Sequence, residues 1–198
     1  MPSSRPILLA AVLYVAAGFA FSSDQSTKVA HTAAYQSMEG KITHLQQNAA
    51  KPRPDPGPTE ITEDEANAYL NEGGVKLPKG VSQVHLSAQA GTLDGVAKVD
   101  FDTIIESKRS ANPLLGLFSG MHEVRIVAQA DGAGGTGNVK VQSVYLDGIE
   151  VPPMALELFA ERYITPKYPD VGMNSTFKLP LRIDSAVVES GKVRLAQK

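Results

Sequence analysis

The stretch from Val124 to Leu146, VRIVAQADGAGGTGNVKVQSVYL, decides the fold. Val124, Ile126 and Ala128 recur at every second position on the way in, and Val139, Val141 and Tyr145 on the way out. A period of two marks strands with one buried face. Between them, Gly132-Ala133-Gly134-Gly135-Thr136-Gly137 matches G-x-G-x-x-G. A dinucleotide site needs a helix to open directly after the glycines, so that its N-terminus can hold the pyrophosphate. Here the alternating, β-branched run Val139-Lys140-Val141-Gln142 follows. The glycines therefore read as the turn of a hairpin.

Upstream, the same plan occurs once more. Val84, Leu86, Ala88 and Ala90 alternate with polar residues, Gly91 to Gly95 turns the chain, and Ala97, Val99, Phe101 and Thr103 lead back. Before that hairpin, Ile61-Thr62-Glu63-Asp64-Glu65 reads as a helix start. Thr62 can cap, Glu65 can close a capping box, and three acids sit at the positive end of the dipole. Ala66, Tyr69 and Leu70 would face the core, and Asn71 with Gly73-Gly74 ends the helix. Downstream, Pro152-Pro153 opens a second helix with Leu156, Phe159, Ala160 and Tyr163 on one face, ended by Pro166 and Pro169. Phe177 to Leu179, Leu181 to Val188 and Val193 to Ala196 read as strands around a Ser190-Gly191 turn. Strands joined by short turns favour an antiparallel sheet with helices on one face, an α+β fold.

The N-terminus reads as targeting sequence. After Arg5, Pro6 to Phe21 (PILLAAVLYVAAGFAF) carries no charge. As a helix it would span about 24 Å, against roughly 30 Å of hydrocarbon. It is either a cleaved signal peptide, with Gly18-Phe19-Ala20 as the small-x-small site, or an uncleaved transmembrane anchor. Arg5 places the bulk of the chain outside the cytoplasm in both cases. Residues 24–50 suggest a weak amphipathic helix (Val29, Ala33, Tyr35, Met38, Ile42, Leu45) interrupted by Gly40. The alternate prolines of Lys51 to Pro58 favour extended geometry and suggest a semi-rigid spacer. The expected organisation is a leader or anchor at 1–23, a linker at 24–59 and an α+β domain at 60–198.

Composition narrows the chemistry. With 19 basic and 21 acidic residues and a net charge of -2, nothing supplies the concentrated basic face that nucleic acid requires. Trp is absent and aromatic content is 6%, so stacking platforms are scarce. Without cysteine there is no disulfide, thiolate metal site, Cys nucleophile or lipid-modified cysteine. His31, His44, His85 and His122 are scattered without ligand spacing, so no metal or cofactor is expected. Asp100 and Asp102 share a strand face, and such pairs can do acid–base work only if burial separates them. Ser119 in Gly116-Leu117-Phe118-Ser119-Gly120 is one place late for a nucleophile elbow. An enzyme is not expected. Asn174-Ser175-Thr176 is a glycosylation sequon, relevant only in a eukaryote.

The apolar connector Asn112 to Met121 joins the two hairpins. It reads as a short buried crossover helix, as the lid or mouth of an apolar site, or as a membrane-touching loop. Together with the second helix it supplies the candidate ligand residues: Leu114, Leu115, Leu117, Phe118, Leu156, Phe159 and Tyr163.

From Ile61 onward the chain resembles bacterial exported or membrane-anchored proteins of the tubular lipid-binding (TULIP-like) type. The opening Ile61-Thr62-Glu63-Asp64-Glu65-Ala66-Asn67-Ala68-Tyr69-Leu70 carries the resemblance. So do the two long hairpins, and Gly148-Ile149-Glu150-Val151-Pro152-Pro153 with Phe177-Lys178-Leu179-Pro180-Leu181-Arg182-Ile183. It covers about 140 residues and rests mostly on caps and turns. It implies a curved antiparallel sheet of long hairpins packed against two or more helices, with an apolar groove for lipid. The helices read here are shorter than that family's long helix. The functional expectation is a non-enzymatic, periplasmic or otherwise extracytoplasmic protein that binds an acyl chain or other apolar small molecule. The alternative is an envelope scaffold that binds a protein partner.

Overall fold

In the computed structural model, residues 31–105, 113–166 and 172–198 are described. The apolar segment 6–21 with its Gly18-Phe19-Ala20 motif lies outside them, as do Val29, Asn112 and Pro169. No helix among the described residues is long and apolar enough to cross a membrane.

The first helix, α1, spans Ala33–Ala49. Thr32 caps it, its hydroxyl accepting the Tyr35 N–H at 3.2 Å. Tyr35, Met38, Ile42 and Leu45 form one stripe and are all buried in the main core. Gly40 lies on the exposed face and does not interrupt the helix. The linker expected at 24–59 is therefore corrected: the domain takes in residues 33–49. A weakly amphipathic helix is stable when its stripe finds a partner, and here the next helix and the last strand provide one.

The proline-rich stretch is likewise tied down. The Asn48 side-chain amide donates to the Asp55 carbonyl at 2.9 Å and accepts the Asp55 N–H at 2.9 Å. Arg182 donates to the Lys51 carbonyl at 3.0 Å. Residues 51–58 are thus a fastened connection from α1 to the sheet rather than a free spacer.

Strand β1 (Thr59–Thr62) leads into helix α2 (Glu63–Asn71) through the expected capping box of Thr62 and Glu65. The two long hairpins form as expected: β2 (Val81–Gln89) with β3 (Thr92–Asp100), and β4 (Met121–Ala133) with β5 (Thr136–Leu146). Gly134 and Gly135 make the second turn at φ 58° and 76°. Two successive positive φ values are what a two-residue turn between right-twisted strands needs. One reading is corrected. Phe101 and Thr103 do not continue β3, but belong to a short helix α3 (Phe101–Ile105), because the Asp100 carboxylate accepts the N–H groups of Asp102 and Thr103.

A 3₁₀ turn (Pro113–Leu117) precedes β4. The two-residue β6 (Ile149–Glu150) follows β5, and helix α4 (Pro153–Phe159) runs into a π-helical turn (Ala160–Ile164). Strands β7 (Asn174–Lys178), β8 (Ile183–Glu189) and β9 (Lys192–Gln197) close the described chain.

All nine strands among the described residues belong to one open antiparallel sheet, and with these helices the fold is α+β. The order is β1-β9-β8-β4-β3-β2, with β5 also paired to β4 and β6 and β7 paired to β5. The sheet has two halves. One is β2-β3-β4-β5-β7 and the other is β8-β9-β1. Among the described residues they are laddered together only where Asp131 and Gly132 of β4 meet Val187 and Ala186 of β8. Turn contacts support that seam: Gly91 N–H to the Val188 carbonyl at 3.0 Å, Gly191 N–H to the Ala88 carbonyl at 2.9 Å, and Gly135 N–H to the Asp184 carbonyl at 2.9 Å.

Candidate functional site

The seven residues expected to line an apolar groove are brought to one end of the sheet, but they pack on one another. Leu115, Phe118, Leu156 and Tyr163 are buried, Phe159 is half-buried, and Leu114 and Leu117 point outward. The Phe118 and Phe159 ring centroids are 4.2 Å apart, and Phe101 lies 5.4 Å from Phe118 and 5.5 Å from Phe159. Tyr163 extends the stack, 5.2 Å from Phe159. Edge-to-face and tilted contacts at these separations are attractive in themselves. The aromatic residues form a core between the connector and α4 rather than the walls of a groove.

An apolar cavity opens elsewhere, at the seam between the sheet halves. Its volume is about 70 Å³. Leu86, Ala88 and Leu93 line it from the first hairpin, and Ala130 from β4. Ala186, Val188, Val193 and Leu195 line it from the second half, with Ile61 and Ala66 beneath. Thr62, Glu63, Ser87, Asp131 and Lys192 complete the lining. The cavity exists because small side chains meet where the halves diverge. Gly132 is the point of closest approach: a Cβ there would stand 2.9 Å from the Ala186 methyl and 3.0 Å from Leu179. Thus the first glycine of the G-x-G-x-x-G run serves strand packing, and the run forms a hairpin turn.

An apolar cavity of roughly 150 Å³ can hold a benzene ring. The cavity here is about half that size, enough for the end of an alkyl chain or a small branched group. Sequence reasoning missed it. Ala88, Ala130 and Ala186 are ordinary inward strand positions when read singly, and only the meeting of three strands gathers them.

The polar candidates resolve into structural roles. Both nitrogens of His122 face acceptors, the Asp147 carboxylate at 2.6 Å and the Ser119 carbonyl at 2.8 Å. Ser119 therefore contributes its carbonyl here, while its hydroxyl donates to the Gly116 carbonyl at 3.1 Å. The hydrogen bond with Asp147 raises the His122 pKa, reinforced by the Ser119 carbonyl and opposed by burial. Asp100 is held below the usual carboxylate range by the Thr103 hydroxyl and backbone, as a helix cap would be. Glu65 is buried among Lys41, Ser37 and Thr62. Burial pushes its carboxyl up, but those hydrogen bonds outweigh it and hold the group at about 2. His85 lies exposed on β2. Among the described residues, no group of three or more His, Asp or Glu is placed to hold a metal ion.

Comparison with protein-family models, with curated proteins and with solved structures found no match to this chain.

Proposed function

We propose that this chain is a non-enzymatic envelope module that holds the end of an acyl chain in the cavity between the two halves of its sheet. The observation that carries the reading is the cavity itself. Its wall is built from Leu86, Ala88, Leu93, Ala130, Ala186 and Val188, and it sits at a seam with few ladder hydrogen bonds. Burial of apolar surface at roughly 25 cal/mol per Å² favours an alkyl guest over water in such a place. A longer stretch of chain would enter by parting the halves at the seam. The resemblance to tubular lipid-binding proteins points to the same class of ligand, and the uncharged segment 6–21, seated in a membrane, would put the domain beside a source of it.

Photo-crosslinking tests this. The full chain, reconstituted in a bilayer, is irradiated with a fatty acid bearing a terminal diazirine, and the adducts are mapped by peptide mass spectrometry. Adducts are expected around Ala88, Leu93, Ala130 and Val188. They should fall severalfold in the cavity-filling variants Ala130→Leu and Ala88→Val, and persist in Leu117→Ala. Adducts confined to residues 6–21, or unaffected by either filling variant, overturn the proposal. Adducts on no part of the folded domain, with one protein partner captured instead, would favour the scaffold reading.

A further inference from the structure

Five exposed aliphatic or thioether side chains gather at the end of the sheet opposite the seam. They are Leu114 and Leu117 of the 3₁₀ turn, Met121 at the start of β4, Ile149 in β6, and Met154 in the first turn of α4. Topology places them together. Met121 pairs with Asp100 at the end of β3, Ile149 pairs with Leu146 at the end of β5, and α4 packs on the 3₁₀ turn. Large apolar groups clustered on a surface mark a place of contact.

The chain enters the fold at this same end. Helix α2 runs along β2 from Ala88 toward Val84, as its Glu63, Asn67 and Asn71 contacts show. Its C-terminal end therefore points toward the start of β2, the end of the sheet where Met121 lies. There Glu72 accepts the Thr32 N–H at 2.9 Å and the Thr32 hydroxyl at 2.6 Å. Only residues 22–31 lie between Thr32 and the uncharged run 6–21. Those ten residues can reach no farther than about 35 Å.

We propose that this end of the domain rests on a lipid bilayer, with Leu117, Met121 and Met154 entering its interface. The inference depends on residues 6–21 being seated in the membrane. Charges of both signs share this end, Glu123 and Glu150 with Lys79 and Lys98 and the ion-paired His122 and Asp147, so a zwitterionic bilayer surface suffices for the contact.

The absence of cysteine makes the test direct, since one introduced thiol is the only labelling site. Leu117→Cys, Met121→Cys and Met154→Cys are each labelled with an environment-sensitive fluorophore in the full chain and reconstituted in phosphatidylcholine vesicles containing a spin-labelled lipid. Val187→Cys is the control, because Val187 is 48% exposed against 47% for Leu117 and lies at the seam end. The expected result is blue-shifted, quenched emission at the three positions and water-like emission at position 187. Uniformly water-like emission on a chain that floats with the vesicles overturns the bilayer contact alone. A chain that does not float overturns the membrane seating and the contact together. Blue shifts that grow with protein concentration in the absence of lipid assign the surface to self-association and also overturn it.

Discussion

The Asn67 side chain pairs with the backbone of Leu86 as a neighbouring strand would. Its Nδ2 donates to the Leu86 carbonyl at 2.8 Å, and its Oδ1 accepts the Leu86 N–H at 2.7 Å. One helical turn on, Asn71 donates to the Val84 carbonyl at 2.6 Å, and one turn back Glu63 accepts the Ala88 N–H. Four residues of helix rise about 6 Å and two residues of strand about 6.6 Å, so the steps nearly match. A helix thereby closes the β2 edge, which would otherwise be open to pairing with another chain. Asn67→Ala should cost about 1–3 kcal/mol, the usual penalty for leaving buried groups without partners. Urea unfolding measures it. Asn67→Asp keeps the acceptor but loses the donor and sets a carboxylate against a carbonyl, so it should not rescue.

Glu65 gives the domain an acid limb. Its folded pKa, about 2, lies below the ordinary Glu value. The stabilisation is therefore complete above the unfolded pKa of about 4.3 and is lost as pH falls toward 2. A shift of that size corresponds to roughly 2–3 kcal/mol at neutral pH. Glu65→Gln should lose most of it at pH 7 and match the parent chain near pH 2. Thermal melts across that range check both ends.

His122 acts in the opposite sense. With both ring nitrogens facing acceptors the protonated ring is favoured, and its folded pKa is raised chiefly by Asp147. The stability it contributes is full below the unfolded value of about 6.5 and is lost as pH rises through the folded pKa. NMR titration should find His122 titrating above 6.5, and Asp147→Asn should lower the midpoint. Amide exchange at residues 116–120 should quicken at pH above that midpoint, since the Ser119 carbonyl is then released. A midpoint at or below 6.5 would contradict the charged state.

The end of the chain is tied to its first described helix. The buried Asn48 amide donates to Gln197 Oε1 at 2.7 Å, and Gln197 Nε2 donates to the Leu45 carbonyl at 2.8 Å. Gln197→Ala should cost about 1–3 kcal/mol by taking one partner from the Asn48 amide and from the Leu45 and Leu181 carbonyls. Replacing Asn48 and Gln197 together by alanine should cost less than the sum of the single changes, because each single change strands the other partner. A double-mutant cycle in urea reads the difference.

Features written in short sequence spans were legible. Thr62 and Glu65 announce their cap three residues apart, and the period-two runs around Gly134-Gly135 and Gly91 announce their hairpins. Features made by distant partners were not. Nothing near Asn48 foretells Gln197, so α1 reads as linker until its stripe meets α2 and β9. Asp100 reads as a strand carboxylate because its capping of Thr103 breaks the alternation only locally. Phe118, Phe159 and Tyr163 are apolar enough for either groove or core, and their mutual packing decides for core. The cavity depends on Ala88, Ala130 and Ala186, drawn from three strands, and on the close approach at Gly132.

The location of the apolar guest is the central claim, and methyl NMR of the full chain tests it most directly. With Ala, Leu and Val methyls labelled, a medium-chain fatty acid is titrated in. The account predicts saturable shifts at Ala88, Leu93, Ala130, Ala186 and Val188, with Leu115 and Leu156 unmoved. Shifts confined to Leu115 and Leu156, or no saturable shifts in the domain, would contradict it.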